Sequence, residues 1–224
     1  FKLYPSVGSL DSLGAQHAAL GSNTDGGYYP VSFNQGLEDT AIQLSAISAA
    51  LTDTDLSESL TLSISGIPVG AVLSDGVQTF TASSGNTSAS ITGWNLSGLT
   101  ITPPLNFVGS FTLNVNGHAT EGANGDVATA TQPLTVTVIG VQDAPIANSD
   151  TATTDEDTAV FINVLGNDVD PDGDTLSVTA ATSSNGTVLV HTNGTLTFTP
   201  SSNFSGTATV NYSISDGKGG TANA

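Results

Sequence analysis

The chain has 224 residues and a mass of 22.4 kDa, and its 20 Asp and Glu face only two Lys, for a formal charge of −18. Such a surface repels nucleic acid and anionic membranes, because binding phosphate needs Lys and Arg. There is no Cys, which excludes disulfides, thiolate zinc sites and thiol nucleophiles.

A disordered acidic tail is the simplest home for this much charge. Against it, 38% of the residues are apolar and they alternate along the chain. The acids therefore belong to folded modules, where self-repulsion opposes compaction unless cations neutralise it. No apolar run approaches the ~20 residues of a membrane helix, so no membrane insertion is expected. The opening residues are not a signal peptide and Met is absent; we read the chain as a fragment of something longer.

Residues 1–26 match nothing further along and are expected to be an N-terminal extension or the tail of a preceding domain. The one helix candidate lies here, at 10–20, short and interrupted by Gly14. Strand-like alternation then dominates: Leu60, Leu62 and Ile64; Phe111, Leu113 and Val115; Leu134, Val136 and Val138; Leu176, Val178 and Ala180; and Ala208, Val210, Tyr212 and Ile214. A period of two turns one face inward and one outward, as in half-buried antiparallel strands.

An internal repeat sets the number of modules. Residues 99–115, LTITPPLNFVGSFTLNV, align without a gap on 196–212, LTFTPSSNFSGTATVNY, with 9 of 17 positions identical. Glu38, Asp39, Thr40 and Ala41 recur as Glu156, Asp157, Thr158 and Ala159. The stretch between the two matches is longer in the first copy by about 20 residues, placed around Gly70 to Gly98. We therefore expect two all-β sandwich modules, 27–141 and 142–224. Each falls near the roughly 100 residues typical of a domain. They are joined by a short linker around Gln142 and Asp143 that Pro145 stiffens. The strand at 134–138 has no counterpart before Ala224, so the second module is expected to lack its last strand, through truncation or disorder, leaving a sheet edge open.

The sharpest chemical motif is Asn167-Asp168-Val169-Asp170-Pro171-Asp172-Gly173-Asp174. Carboxylates at every second position, with a Gly for a tight turn, let several oxygens converge on one ion, and calcium (Ca2+) takes about 6–8 oxygens in irregular geometry. A lone Asp-Gly turn is ordinarily just solvated. Four carboxylates this close repel one another strongly enough to favour a cation. The opening resembles an EF-hand loop, yet Thr179 stands where that loop needs Glu, and a strand follows. A weaker version is Asp53, Asp55 and Glu58. Nothing catalytic accompanies these acids: His17, His118 and His191 are scattered, and no nucleophile elbow, metalloprotease motif or nucleotide loop occurs. We expect no enzyme.

The phrases at 38–41 and 156–159, the acidic run at 168–174, the Asn-Phe-x-Gly of 106–109 and 203–206, and the Ser-Asp-Gly-Lys-Gly-Gly of 215–220 resemble the cadherin-like, immunoglobulin-type repeats of large bacterial RTX adhesins. The resemblance implies tandem Greek-key β-sandwiches, type I secretion and a place on the bacterial surface. It implies a monomer whose partners are the neighbouring domains of its own chain. Such repeats hold a terminal region, directed at a glycan, peptide or other surface ligand, away from the cell. It also implies which acids meet. Glu38, Asp39, Asp143, Asp168, Asp170, Asp172, Asp174 and Asp216 would serve the junction, and Asp53, Asp55, Glu58 and Asp126 the other end of the first module. The rival role is a calcium-dependent carbohydrate- or peptide-binding module, in which Tyr28, Tyr29 or Trp94 would stack on a ligand; as sandwiches need large core residues, Trp94 is better read as a core anchor.

Overall fold

The alternating runs are strands, and two groups of them close on separate cores. The computed structural model describes residues 2–5, 33–50, 58–122 and 125–224. Contacts divide the chain into a first unit, Phe1–Val141, and a second, Gln142–Ala224. The helix candidate at 10–20 lies outside the described residues.

The first unit runs β1 (Lys2–Pro5), β2 (Gln35–Leu37), β3 (Ile42–Gln43), β4 (Ile47–Ala50), β5 (Glu58–Ser65), β6 (Val72–Ser74), β7 (Thr79–Thr81), β8 (Ser88–Ser90), β9 (Thr100–Thr102), β10 (Gly109–Glu121) and β11 (Val127–Ile139). One sheet has the order β2-β11-β10-β5-β8, the other β3-β9-β6-β7, and β1 pairs with β4. Ile64, Leu113 and Val136 from the first sheet and Ile42, Leu73 and Ile101 from the second meet in one core, each at most 2% exposed. The strand β2 lies parallel to the end of β11, with Gly36 opposite Val138. The additional residues around Gly70 to Gly98 hold β7 and β8, which add one strand to the edge of each sheet.

The second unit runs β12 (Val160–Ile162), a 3-10 turn (Val164–Gly166), β13 (Ser177–Ser183), β14 (Gly186–Val190), β15 (Leu196–Pro200), β16 (Val210–Ser215) and β17 (Thr221–Asn223). Its sheets are β12-β15-β14 and β13-β16-β17. Val164, Leu196, Tyr212 and Ile214 form the core. Both units are all-β two-sheet sandwiches, as the alternation requires.

Two expectations need correcting. The final strand of the second unit is begun rather than missing: β17 pairs with β16, Ile214 opposite Ala222. The alternation through Ala180 also breaks. A register shift between Val178 and Ala180 turns Ala180 outward and Ala181 inward, the usual effect of a bulge on a strand's facing.

Candidate metal centre

The aspartate loop of the second unit leaves an isolated bridge between Ile146 and Val169 and leads into β13. The turn closes with the Gly173 N–H donating to the Asp170 carbonyl at 3.1 Å, and Gly173 has φ +75°, a conformation cheap only for Gly. Asp170 Oδ1 accepts the N–H groups of Asp172 and Asp174 at 3.0 and 3.2 Å. This folds the loop around Asp170 and brings alternate carboxylates together. Asp170, Asp172 and Asp174 each present an oxygen within 4.8 Å of the other two. Among the described residues this is the one set of three side chains with metal-holding geometry.

Other groups surround it. The Gln142 amide donates to Asp172 Oδ2 at 3.0 Å and Asp174 Oδ2 at 2.8 Å, and the Asp143 N–H donates to Asp172 Oδ2 at 2.7 Å. Lys218 Nζ lies 3.8 Å from Asp174 Oδ1, with 59% of its side chain exposed, too solvated to offset three carboxylates. Asp170 Oδ2 is enclosed and has no hydrogen-bond partner. A carboxylate oxygen buried this way is costly unless something positive meets it. The set is all hard oxygen, suited to calcium or magnesium and unsuited to soft metals. The three aspartates can therefore hold a metal ion.

The remaining candidate ligands sit elsewhere. Asp216 is 4% exposed and its Oδ1 accepts the N–H groups of Lys218, Gly219 and Gly220 at 2.7, 3.0 and 3.0 Å; it holds the β16–β17 turn. Asp168 Oδ1 accepts the Asn148 N–H at 2.7 Å and lies 3.3 Å from the Tyr212 hydroxyl. That hydroxyl donates to the Asn148 carbonyl at 2.8 Å and lies 3.2 Å from Asp150 Oδ2. Burial raises the Asp150 carboxyl above its usual range; the Tyr212 contact opposes this and the Asp168 charge adds to it. Burial and both charges also keep the Tyr212 hydroxyl protonated.

In the first unit, Glu38 is 4% exposed and its Oε1 accepts the Val141 N–H at 2.5 Å. Asp39 Oδ1 accepts the Asn106 N–H at 2.9 Å. Glu58 pairs with Glu121 across β5 and β10, and the Glu121 N–H donates to the Asp126 carbonyl at 2.8 Å, so these three share one end of the sheet. Asp53 and Asp55, like Tyr28 and Tyr29, lie outside the described residues. Trp94 packs against the first core. Sequence reasoning missed Gln142, Asp150 and Glu121. The amide of Gln142 carries no motif, and only the fold brings it to the aspartates.

Residues 142–224 match the family model described as bacterial Ig domain. The second unit is thus similar to a bacterial Ig domain, and its aspartate loop, Gln142 and Asp216 all fall inside the match. A comparison with curated proteins gives no match. Among solved structures, an endo-fucoidan hydrolase of glycoside hydrolase family 107 aligns at 18% identity and a TM-score of 0.27. That alignment covers 74% of this chain and 22% of the enzyme's, a likeness too slight to carry any argument.

Proposed function

We propose that the chain is a calcium-stiffened extender segment of a bacterial surface adhesin, non-catalytic, whose immunoglobulin-type modules hold a ligand-binding region away from the cell. The observation that carries this reading is the Asp170, Asp172 and Asp174 cluster with its enclosed, unpartnered Asp170 Oδ2, on a domain of bacterial Ig type. Calcium fits better than magnesium, because it accepts irregular oxygen cages and sheds water readily.

Asp170, Asp172 and Asp174 supply the carboxylates in this reading, and the Gln142 and Asp143 contacts to Asp172 and Asp174 tie the start of the domain to the loop. A bound cation removes the mutual repulsion of the loop and locks that start in place. Extracellular calcium modules have dissociation constants of roughly 10⁻⁴–10⁻³ M, so the site fills outside the cell and stays largely empty in the cytosol.

Titration calorimetry of the chain with calcium, then magnesium, tests the assignment. Calcium binding at sub-millimolar to millimolar strength, lost in the Asp170→Ala/Asp172→Ala double variant, supports it. Equal heats in the parent and the double variant would place any calcium elsewhere and defeat it.

A further inference from the structure

The two units differ at one row of residues on the outer face of a sheet. In the first unit the ladders align Gln43, Thr100 and Ser74 across β3, β9 and β6. All three are polar, and the fold uses two of them. The Gln43 amide donates to the Leu99 carbonyl at 2.9 Å, and the Ser74 hydroxyl donates to the Gln78 carbonyl at 3.0 Å. In the second unit the same row is Phe161, Thr197 and Leu189, across β12, β15 and β14. Phe161 is 73% and Leu189 60% exposed, while Ile162, Val188 and Val190 beside them turn to the core. The first sandwich closes with a polar row at this place, so packing does not account for the apolar one.

The Phe161 ring stacks on His191, with centroids 5.7 Å apart and planes inclined by 27°. His191 Nε2 and the Thr197 hydroxyl lie 2.7 Å apart, which ties the imidazole to the middle of the row. The two rings thus hold one another on the open side of the sheet. Thr187 and Thr199, paired across β14 and β15, set further hydroxyls beside them. The chain has 20 Asp and Glu, yet the outward positions of these three strands, Phe161, Thr187, Leu189, Thr197 and Thr199, include none.

We infer that this row is a binding platform for an uncharged saccharide. Contiguous exposed apolar side chains mark interaction sites, and size and charge narrow the occupant. β14 and β15 have five residues each. Three such strands make a face of roughly 10 by 16 Å, far short of the about 800 Å² per partner of a stable protein interface. A second copy would also bring another charge of −18 against the first. The same field repels an anionic ligand, and the row offers a cationic one no carboxylate. A small neutral ligand with an apolar side and a hydroxyl-bearing rim fits what is left. A sugar ring is built this way: its C–H face lies against the electron-rich face of an aromatic ring. Its hydroxyls meet those of Thr187, Thr197 and Thr199, which both donate and accept. With Gln43 and Ser74 in the row, the first unit has no such platform. The inference goes beyond the extender reading and is independent of the cation.

The test titrates the full chain with three neutral oligosaccharides, cellohexaose, maltohexaose and mannohexaose, and with anionic oligogalacturonate. Binding is read from amide NMR shifts, and light scattering fixes the molecular mass. Two variants accompany the parent. Phe161→Gln/Leu189→Ser gives the second unit the row that the first unit already folds with, and Phe161→Tyr keeps an aromatic ring. The expected result is saturable shifts at residues 161, 189, 191 and 197 with at least one neutral sugar. Binding should weaken about tenfold or more in the double variant, as loss of a ring contact implies, and stay close to the parent in Phe161→Tyr. No shift at these residues with any neutral sugar, equal affinity in parent and double variant, or tighter binding of oligogalacturonate would overturn the inference. So would a dimer of the sugar-free chain that the double variant abolishes, because the occupant would then be a second copy.

Discussion

Asp157 Oδ1 accepts a hydrogen bond from the Asn203 N–H at 2.9 Å, and Asp39 Oδ1 does the same for Asn106 at 2.9 Å. The two motifs that define the repeat are therefore partners in space. All four residues have left-handed backbones, with φ between +54° and +58°, so each Asp both adopts a conformation that Asp and Asn tolerate and ties a distant loop. Asp39, a candidate ligand by its place in the repeat, has this clasp as its observed setting.

Removing the clasp should weaken its unit. Asp157→Ala loses a charged acceptor, about 1 kcal/mol at an exposed site, and puts Ala in the left-handed region, roughly another 1 kcal/mol. Asp157→Asn keeps an acceptor and tolerates the backbone, so it should stay close to the parent. Denaturant unfolding of the three proteins checks the order.

Gly220 should tolerate no side chain. A Cβ there would strike Asp216 Oδ2 and lie 2.9 Å from Ala144 Cα and 3.0 Å from Pro145 Cδ, two atoms that move only with the backbone. Gly220→Ala should cost about 3 kcal/mol or more by overpacking. Gly217→Ala in the same turn has open space but φ +75°, and should cost roughly 1 kcal/mol. Thermal unfolding of both variants distinguishes crowding from backbone strain.

Asp75 should make the first unit acid-sensitive. Its carboxylate accepts N–H bonds from Val77, Gln78 and Asn95 at 2.9, 2.6 and 2.9 Å. The backbone bonds from Gln78, then Asn95 and Val77, hold its carboxyl below the ordinary 3.8. A depressed folded pKa means the unfolded chain binds the proton first, so the stabilisation is complete above about pH 4 and is lost as pH falls through the folded value. Stability measured from pH 5 downward should fall less steeply in Asp75→Asn than in the parent. Identical slopes would remove Asp75 from the acid response.

Much of the architecture was legible because period-two alternation reports burial directly: Leu113, Val136 and Ile214 point inward as their spacing demands. The bulge at Val178 was not legible, since a one-residue slip leaves no mark in composition. The convergence of Asp170, Asp172 and Asp174 was legible because their spacing is local. The settings of Glu38, Asp168 and Asp216 were not. Charge alone cannot separate a carboxylate aimed at an ion from one that caps backbone N–H groups, and Asp216 holds its turn through three of them.

The central claim, that a cation completes the aspartate loop, is tested most directly by calorimetric unfolding of the whole chain in millimolar calcium and in chelator, beside the Asp170→Ala/Asp172→Ala variant. A ligand bound only to the folded state stabilises it by about 2.7 kcal/mol at a hundredfold excess over its dissociation constant. The account predicts a saturable rise in melting temperature with calcium in the parent and little or none in the variant. The same melting temperature in calcium and chelator would contradict it and leave the three aspartates as a solvated turn.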